Sequence, residues 1–185
     1  MPTRRPLRFD PIIEARRQWR RHGWDAAPWM AAATSIMRAQ QIVLRQVDEA
    51  LRPFGLTFAR YESLALLYFS RSQSLPLGKI GDRLMVHPAS VTNAINQLER
   101  DGLVRRVHHQ TDRRKVLAEL TDEGRRVVEE ATAAVTGTRF GLSEFRQGEA
   151  DELTELLVQL RARVGDFALD GPDEQASPGR RPRSG

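Results

Sequence analysis

The chain has 185 residues, a net charge of +5, 40% hydrophobic and 29% charged residues, and no cysteine. The length suits one well-cored domain, or one domain with an added arm, and the lack of cysteine excludes disulfides, thiolate nucleophiles, thiol-based redox sensing and cysteine zinc sites. Lys79 and Lys115 are the only lysines, so arginine carries the positive excess, as suits a phosphate or guanine edge or simply an arginine-rich genome.

No apolar run approaches the roughly 18 to 20 residues that cross a bilayer. Met1 to Phe9 is basic without the apolar stretch of a secretory signal, so a cytoplasmic protein with no membrane partner is expected. Residues 1–9 are expected to be a flexible terminus. The first element is an arm over 10–23, a short helix with Asp10 as N-cap, Pro11 at its first position and Gly23 at its stop. Ile12, Ala15 and Trp19 form a stripe too small to stand alone, so the arm must dock on something.

A long helix is expected from about Pro28 to Arg52. Met30, Met37, Leu44 and Leu51 recur every seven residues beside a second stripe of Trp29, Ile36, Val43 and Val47, which gives two surfaces to bury. Thr57 would cap the next helix, with Tyr61, Leu64, Ala65, Leu67 and Tyr68 inward. Ser70 to Pro76 reads as a polar connection. Two short helices then occupy Leu77 to Arg100, separated by Val86-His87-Pro88; the second turns Val91, Ile95 and Leu98 inward. Residues 103–107 and 116–120 change to a β-like pattern and predict a two-stranded hairpin with a basic tip. Thr121, followed by Asp122 and Glu123, caps a further helix. A last helix is expected from Ser143, with Leu153, Leu156, Leu157, Leu160 and Val164 inward, and residues 170–185 read as disordered.

Helix, short turn, helix and basic-tipped hairpin form a winged helix-turn-helix. The fold class is therefore mainly α with a small β-hairpin wing: a DNA-binding lobe over 56–121, flanked by long dimerisation helices at 28–53 and 122–166. The outward residues of the second short helix are Ala89, Ser90, Thr92, Asn93, Asn96 and Gln97, in a stretch free of charge from Pro88 to Leu98. Asn and Gln can bond adenine edges, Ser and Thr can bond bases or phosphates, and Ala and Thr methyls can meet thymine. The plainer alternative is a solvated face, but solubility alone would favour Lys and Glu there. At the hairpin tip stand Asp112, Arg113, Arg114 and Lys115. An arginine there can enter a narrow minor groove, and the nearby carboxylate can hold it in one orientation.

These blocks resemble the MarR family of bacterial transcriptional regulators. Leu84-Met85-Val86-His87-Pro88-Ala89-Ser90-Val91-Thr92 leads into Gln97-Leu98-Glu99-Arg100-Asp101-Gly102-Leu103-Val104-Arg105-Arg106, and Asp112-Arg113-Arg114 and Leu120-Thr121-Asp122-Glu123-Gly124 follow in register. The resemblance covers about residues 28–166. It implies a homodimer on a pseudo-palindromic double-stranded DNA operator, usually a repressor released by a small-molecule effector, with Arg114 in the minor groove and Asp112 as its anchor. The arm resembles the extra helix of the family's urate-responsive branch. There Trp19 matches the effector-site tryptophan, Glu62 stands where the branch has aspartate, and Arg106 matches an arginine at the wing's base. Ala94, however, occupies the place of a second ligand-contacting arginine. The alternative is that Trp19 anchors the arm, Glu62 pairs with an arginine and Arg106 braces the wing.

No catalytic residue, metal site or cofactor is expected. His22, His87, His108 and His109 lack the spacing of a helical metal motif. Two further readings stay beside the regulator: a non-specific architectural DNA-binding protein, against which the uncharged helix face argues, and a protein-interaction module without DNA affinity, against which the basic wing tip argues.

Overall fold

Asp10 starts the fold as its residue type requires: its carboxylate accepts from the N–H of Ile12 at 2.8 Å and of Ile13 at 3.3 Å, opening α1 (Pro11–Arg21). The computed structural model describes residues 7–108 and 116–168. After α1 come α2 (Ala27–Leu51), a 3₁₀ turn, α3 (Phe58–Phe69), β1 (Ser74–Pro76), α4 (Leu77–Leu84), α5 (Pro88–Arg100), β2 (Val104–His108), β3 (Val116–Leu120), α6 (Asp122–Gly137), a second 3₁₀ turn and α7 (Gln147–Arg163). These fall into two compact units, one through Ser143 and one from Glu144. None of the described helices is long and apolar enough to cross a membrane.

The core of the first unit gathers Val47 and Leu51 of α2, Tyr61, Leu64 and Leu67 of α3, Ile80 of α4, Val91, Ile95 and Leu98 of α5, and Val128, Ala131 and Val135 of α6. Burial on α2 divides along its length. The second half enters the core, whereas Met37 is exposed and Trp29 near the start is 73% exposed. The arm helix α1 packs on α2.

The start of α3 differs from expectation. Thr57 occupies the N-cap position, but its side chain makes no capping bond. The Phe58 N–H instead donates to Asp48 Oδ1 of α2 at 2.7 Å, so a residue ten positions upstream satisfies the helix end. Asp48→Ala should therefore cost about 1 kcal/mol, as loss of a cap does, and Thr57→Ala less than about 0.5 kcal/mol. Thermal unfolding of the two variants checks the order; equal effects would remove Asp48 as the cap.

The hairpin gains a third strand. Within the expected polar connection, Ser74, Leu75 and Pro76 pair antiparallel with Glu119, Ala118 and Leu117. The sheet order is β1-β3-β2, with Val104 opposite Leu120 and Arg106 opposite Ala118. Three residues are too few to show alternation, and Pro76 is tolerated because β1 is an edge. The seat of the sheet is tight. Thr121 caps α6 by accepting from the Gly124 N–H at 2.9 Å, while its hydroxyl reaches the carbonyls of Gly102 and Leu103 at 2.8 and 3.0 Å.

The last helix starts later than Ser143, at Gln147, where the Arg146 N–H donates to Glu149 Oε2 at 2.9 Å. Gly141, with φ +76°, and Phe140, with φ +52°, break the chain before it. Leu153, Leu156, Leu157, Leu160 and Val164, expected inward, are not buried within one chain; Leu156 is 65% exposed and Val164 74%. Residues 170–185 and most of the basic N-terminus, 1–6, lie outside the described residues.

Candidate nucleic-acid interface

The second helix of the helix-turn-helix, α5, is held from behind and bare in front. Val91, Ile95 and Leu98 are buried, while Ala89, Ser90, Thr92, Asn93 and Asn96 are exposed and Gln97 is half-buried. His87 caps its start, Nδ1 accepting from the Ala89 N–H at 3.2 Å. Histidine is not among the usual capping residues, so its place before Pro88 does not mark the cap in sequence. The turn between α4 and α5 passes through Met85 at φ +51°, a left-handed conformation that is uncommon outside glycine, with its N–H bonded to the Gly81 carbonyl. Gly81 has no room to spare: a Cβ there would stand 3.3 Å from the Val91 side chain. The two helices are therefore set by close packing at the turn. Beside it an open groove of about 410 Å³ runs past Gly78, Asp82, Met85 and Thr92.

At the other end of α5, Gly102 with φ +73° turns the chain into β2. The root of the wing carries two ion pairs. Arg105 donates to Glu119 across the strands, its Nε at 2.9 Å. Arg106 donates to Glu99 on α5, with its backbone N–H on Glu99 Oε1 at 3.1 Å, and its Nη2 donates to Asn96 Oδ1 at 2.6 Å. An asparagine on the exposed side of α5 and an arginine on β2 are thereby joined. The same helix pair carries exposed cations: Lys79 and Arg83 on α4 and Arg100 at the end of α5. Scattered cations on short polar helices, two on α4 and one at the end of α5, carry no pattern in sequence that marks them. Asp112, Arg113 and Arg114 of the wing tip lie outside the described residues.

The three effector-site candidates lie on three elements. Trp19 donates its indole N–H to the Asp25 carbonyl at 2.8 Å and packs edge-on to Trp24, centroids 4.8 Å apart. Those contacts tie the arm's end to its own turn. Arg106 serves the wing and α5 as described. Glu62 on α3 is half-buried with no hydrogen bond among the described residues, and burial pushes its carboxyl above the ordinary carboxylate range. No hydrogen bond or ion pair joins the three among the described residues. Of the histidines, His22 stacks on Trp24, His87 caps α5 and His108 ends β2, while His109 lies outside the described residues.

Residues 56–116 match the family model described as MarR family. The chain is 31% identical over 167 residues to the HTH-type transcriptional regulator PecS of Dickeya dadantii, spanning 85% of this chain and 96% of that protein. Among solved structures it is similar to Sco5413, a MarR family transcriptional regulator from Streptomyces coelicolor, at 52% identity and TM-score 0.71, covering 76% of this chain and 97% of the other. It is also similar to CouR from Rhodococcus jostii, solved bound to p-coumaroyl-CoA, at 25% identity and TM-score 0.61, covering 77% and 95%.

Proposed function

The chain belongs to the MarR family of transcriptional regulators, and on that premise we propose that it is a cytoplasmic, homodimeric repressor that binds a pseudo-palindromic operator and is released by a small molecule. The observation that carries this reading is the charge-free, exposed face of α5 held rigid by a buried apolar face. A side that only coated phosphates would need cations there, whereas Ala89, Ser90, Thr92, Asn93, Asn96 and Gln97 offer amides, hydroxyls and methyls to base edges in the major groove. Lys79, Arg83 and Arg100 suit the flanking phosphates.

Two apolar surfaces support the dimer: the exposed stretch of α2 with Trp29 and Met37, and the stripe of α7 with Leu156 and Val164. A second copy of the chain would cover them, using segments 28–53 and 122–166, and would place two α5 helices about one helical turn of DNA apart. Relief by a ligand draws support from CouR, whose structure holds an acyl-CoA. Of the candidate effector residues, Glu62 is the one whose polar atoms are uncommitted among the described residues; Trp19 can report on the site by fluorescence.

The wing and α5 divide the work. Arg114, anchored by Asp112 beside Arg113, contributes affinity through the minor groove, and Asn93 contributes discrimination. Arg114→Ala should weaken operator and random DNA together and lower the salt slope by about one unit. Asn93→Ala should cost roughly 1 to 3 kcal/mol on the operator and little on random DNA. Titrations of both duplexes at several salt concentrations test this. Unchanged affinity of Arg114→Ala for both would remove the wing from the interface.

A further inference from the structure

The link between Arg106 and Asn96 bears on which base the helix reads. A free asparagine presents an acceptor and a donor side by side, the pattern that matches N6 and N7 of adenine. Asn96 is not free. Its Oδ1 accepts from Arg106 Nη2 at 2.6 Å, and Arg106 is itself fixed by its ion pair with Glu99 and by its own backbone N–H on Glu99 Oε1. Glu99 sits on α5 three residues after Asn96, so the clamp closes on one helix and one strand. The guanidinium has no acceptor atom, so only the oxygen end of the amide can face it. The planar amide must then turn Nδ2 away, and no group among the described residues accepts from it. The residue lies on the exposed side of α5.

We propose that Arg106 is a positioning residue that locks the Asn96 amide with its donor outward, so that this position of α5 selects guanine rather than adenine. Guanine offers two acceptors, O6 and N7, to the outward Nδ2 donor, whereas adenine sets its own N6 donor beside N7. The inference rests on the DNA-binding reading above and adds to it the identity of one base in each half-site. Arg106 itself need not touch DNA. Asparagine at the corresponding point of an unclamped helix would favour adenine, so residue type alone does not reveal the preference.

The experiment is binding to a set of operator duplexes carrying every single base-pair change, for the wild-type chain, Arg106→Met, Asn96→Ala, Asn96→Ala with Arg106→Met, and Asn96→Asp. Wild type should prefer guanine at one position per half-site by about tenfold. Arg106→Met keeps most of the side-chain stem but frees the amide, and should shift that position toward adenine while leaving the rest of the profile unchanged. In the Asn96→Ala background the same arginine change should shift nothing. Asn96→Asp retains a partner for Arg106 and removes the donor, so it should lose the guanine preference without loss of thermal stability. That variant decides the matter if Arg106→Met fails to fold. An Arg106→Met profile identical in shape to wild type, with affinity lowered evenly, would overturn the inference and make Arg106 a brace only. An unaltered guanine preference in Asn96→Asp would overturn it as well. Failure of the wild-type chain to favour operator over scrambled DNA would instead sink the DNA-binding reading itself.

Discussion

Gly124→Ala should leave the protein unable to fold. The helix α6 starts against the turn between α5 and β2, and a Cβ built on Gly124 would lie 2.0 Å from the Leu103 carbonyl oxygen and 2.9 Å from its carbon. Both obstacles are backbone, so no rotamer change relieves the overlap. The Leu103 carbonyl also accepts from the Thr121 N–H at 3.2 Å and from its hydroxyl at 3.0 Å, so moving it breaks the seat of the sheet. Overpacking a core ordinarily costs about 1 to 3 kcal/mol; a clash this deep with backbone should exceed about 4 kcal/mol, a large part of a domain's stability. Gly137, at the other end of the same helix, has nothing within 4 Å of an added Cβ. Gly137→Ala should be neutral or mildly stabilising. Circular dichroism and thermal melts of the pair check both statements. A Gly124→Ala protein melting within about 3 °C of wild type, a shift of roughly 1 kcal/mol, would mean that α6 does not meet the wing root this closely.

Leu156→Asp is the second large effect, and it separates the single chain from the dimer. Leu156 is 65% exposed in one chain, where a polar replacement should stay within about 0.5 kcal/mol. If a second copy covers the stripe, the new carboxylate is buried without a partner and should cost several kcal/mol. The variant is therefore expected to sediment as a monomer at micromolar concentration, where the wild-type chain is a dimer, and to lose operator affinity because one half-site cannot hold it. A wild-type chain that sediments as a folded monomer would contradict the dimer.

How far the sequence discloses this depends on the range of each interaction. Periodicity is local, so Val91, Ile95 and Leu98 declare the inner face of α5, and Asp10 and Thr121 declare their caps within three residues. Interactions between distant elements leave no such trace. Asp48 caps α3 from α2, and β1 is a strand only because β3 lies beside it. Likewise, Arg106 stands out in the sequence only as a match at the wing's base, and its bond to Asn96, ten positions away, exists because β2 lies against α5. The outward residues of α5 were legible because their neighbours must be buried, but the orientation of one amide among them was not. The apolar stripe of α7 reads as an inward face, and its exposure in one chain follows if the surface it needs belongs to a second copy.

The most direct test of the whole account is equilibrium binding of the wild-type chain to its own upstream DNA and to a scrambled duplex of equal length, at about 150 mM salt. A dimer per site is expected, with a preference of at least about 10³-fold for the upstream sequence, the lower range for specific regulators. Equal affinity for the two duplexes, falling together as salt rises, would contradict it and leave an architectural DNA-binding protein in its place.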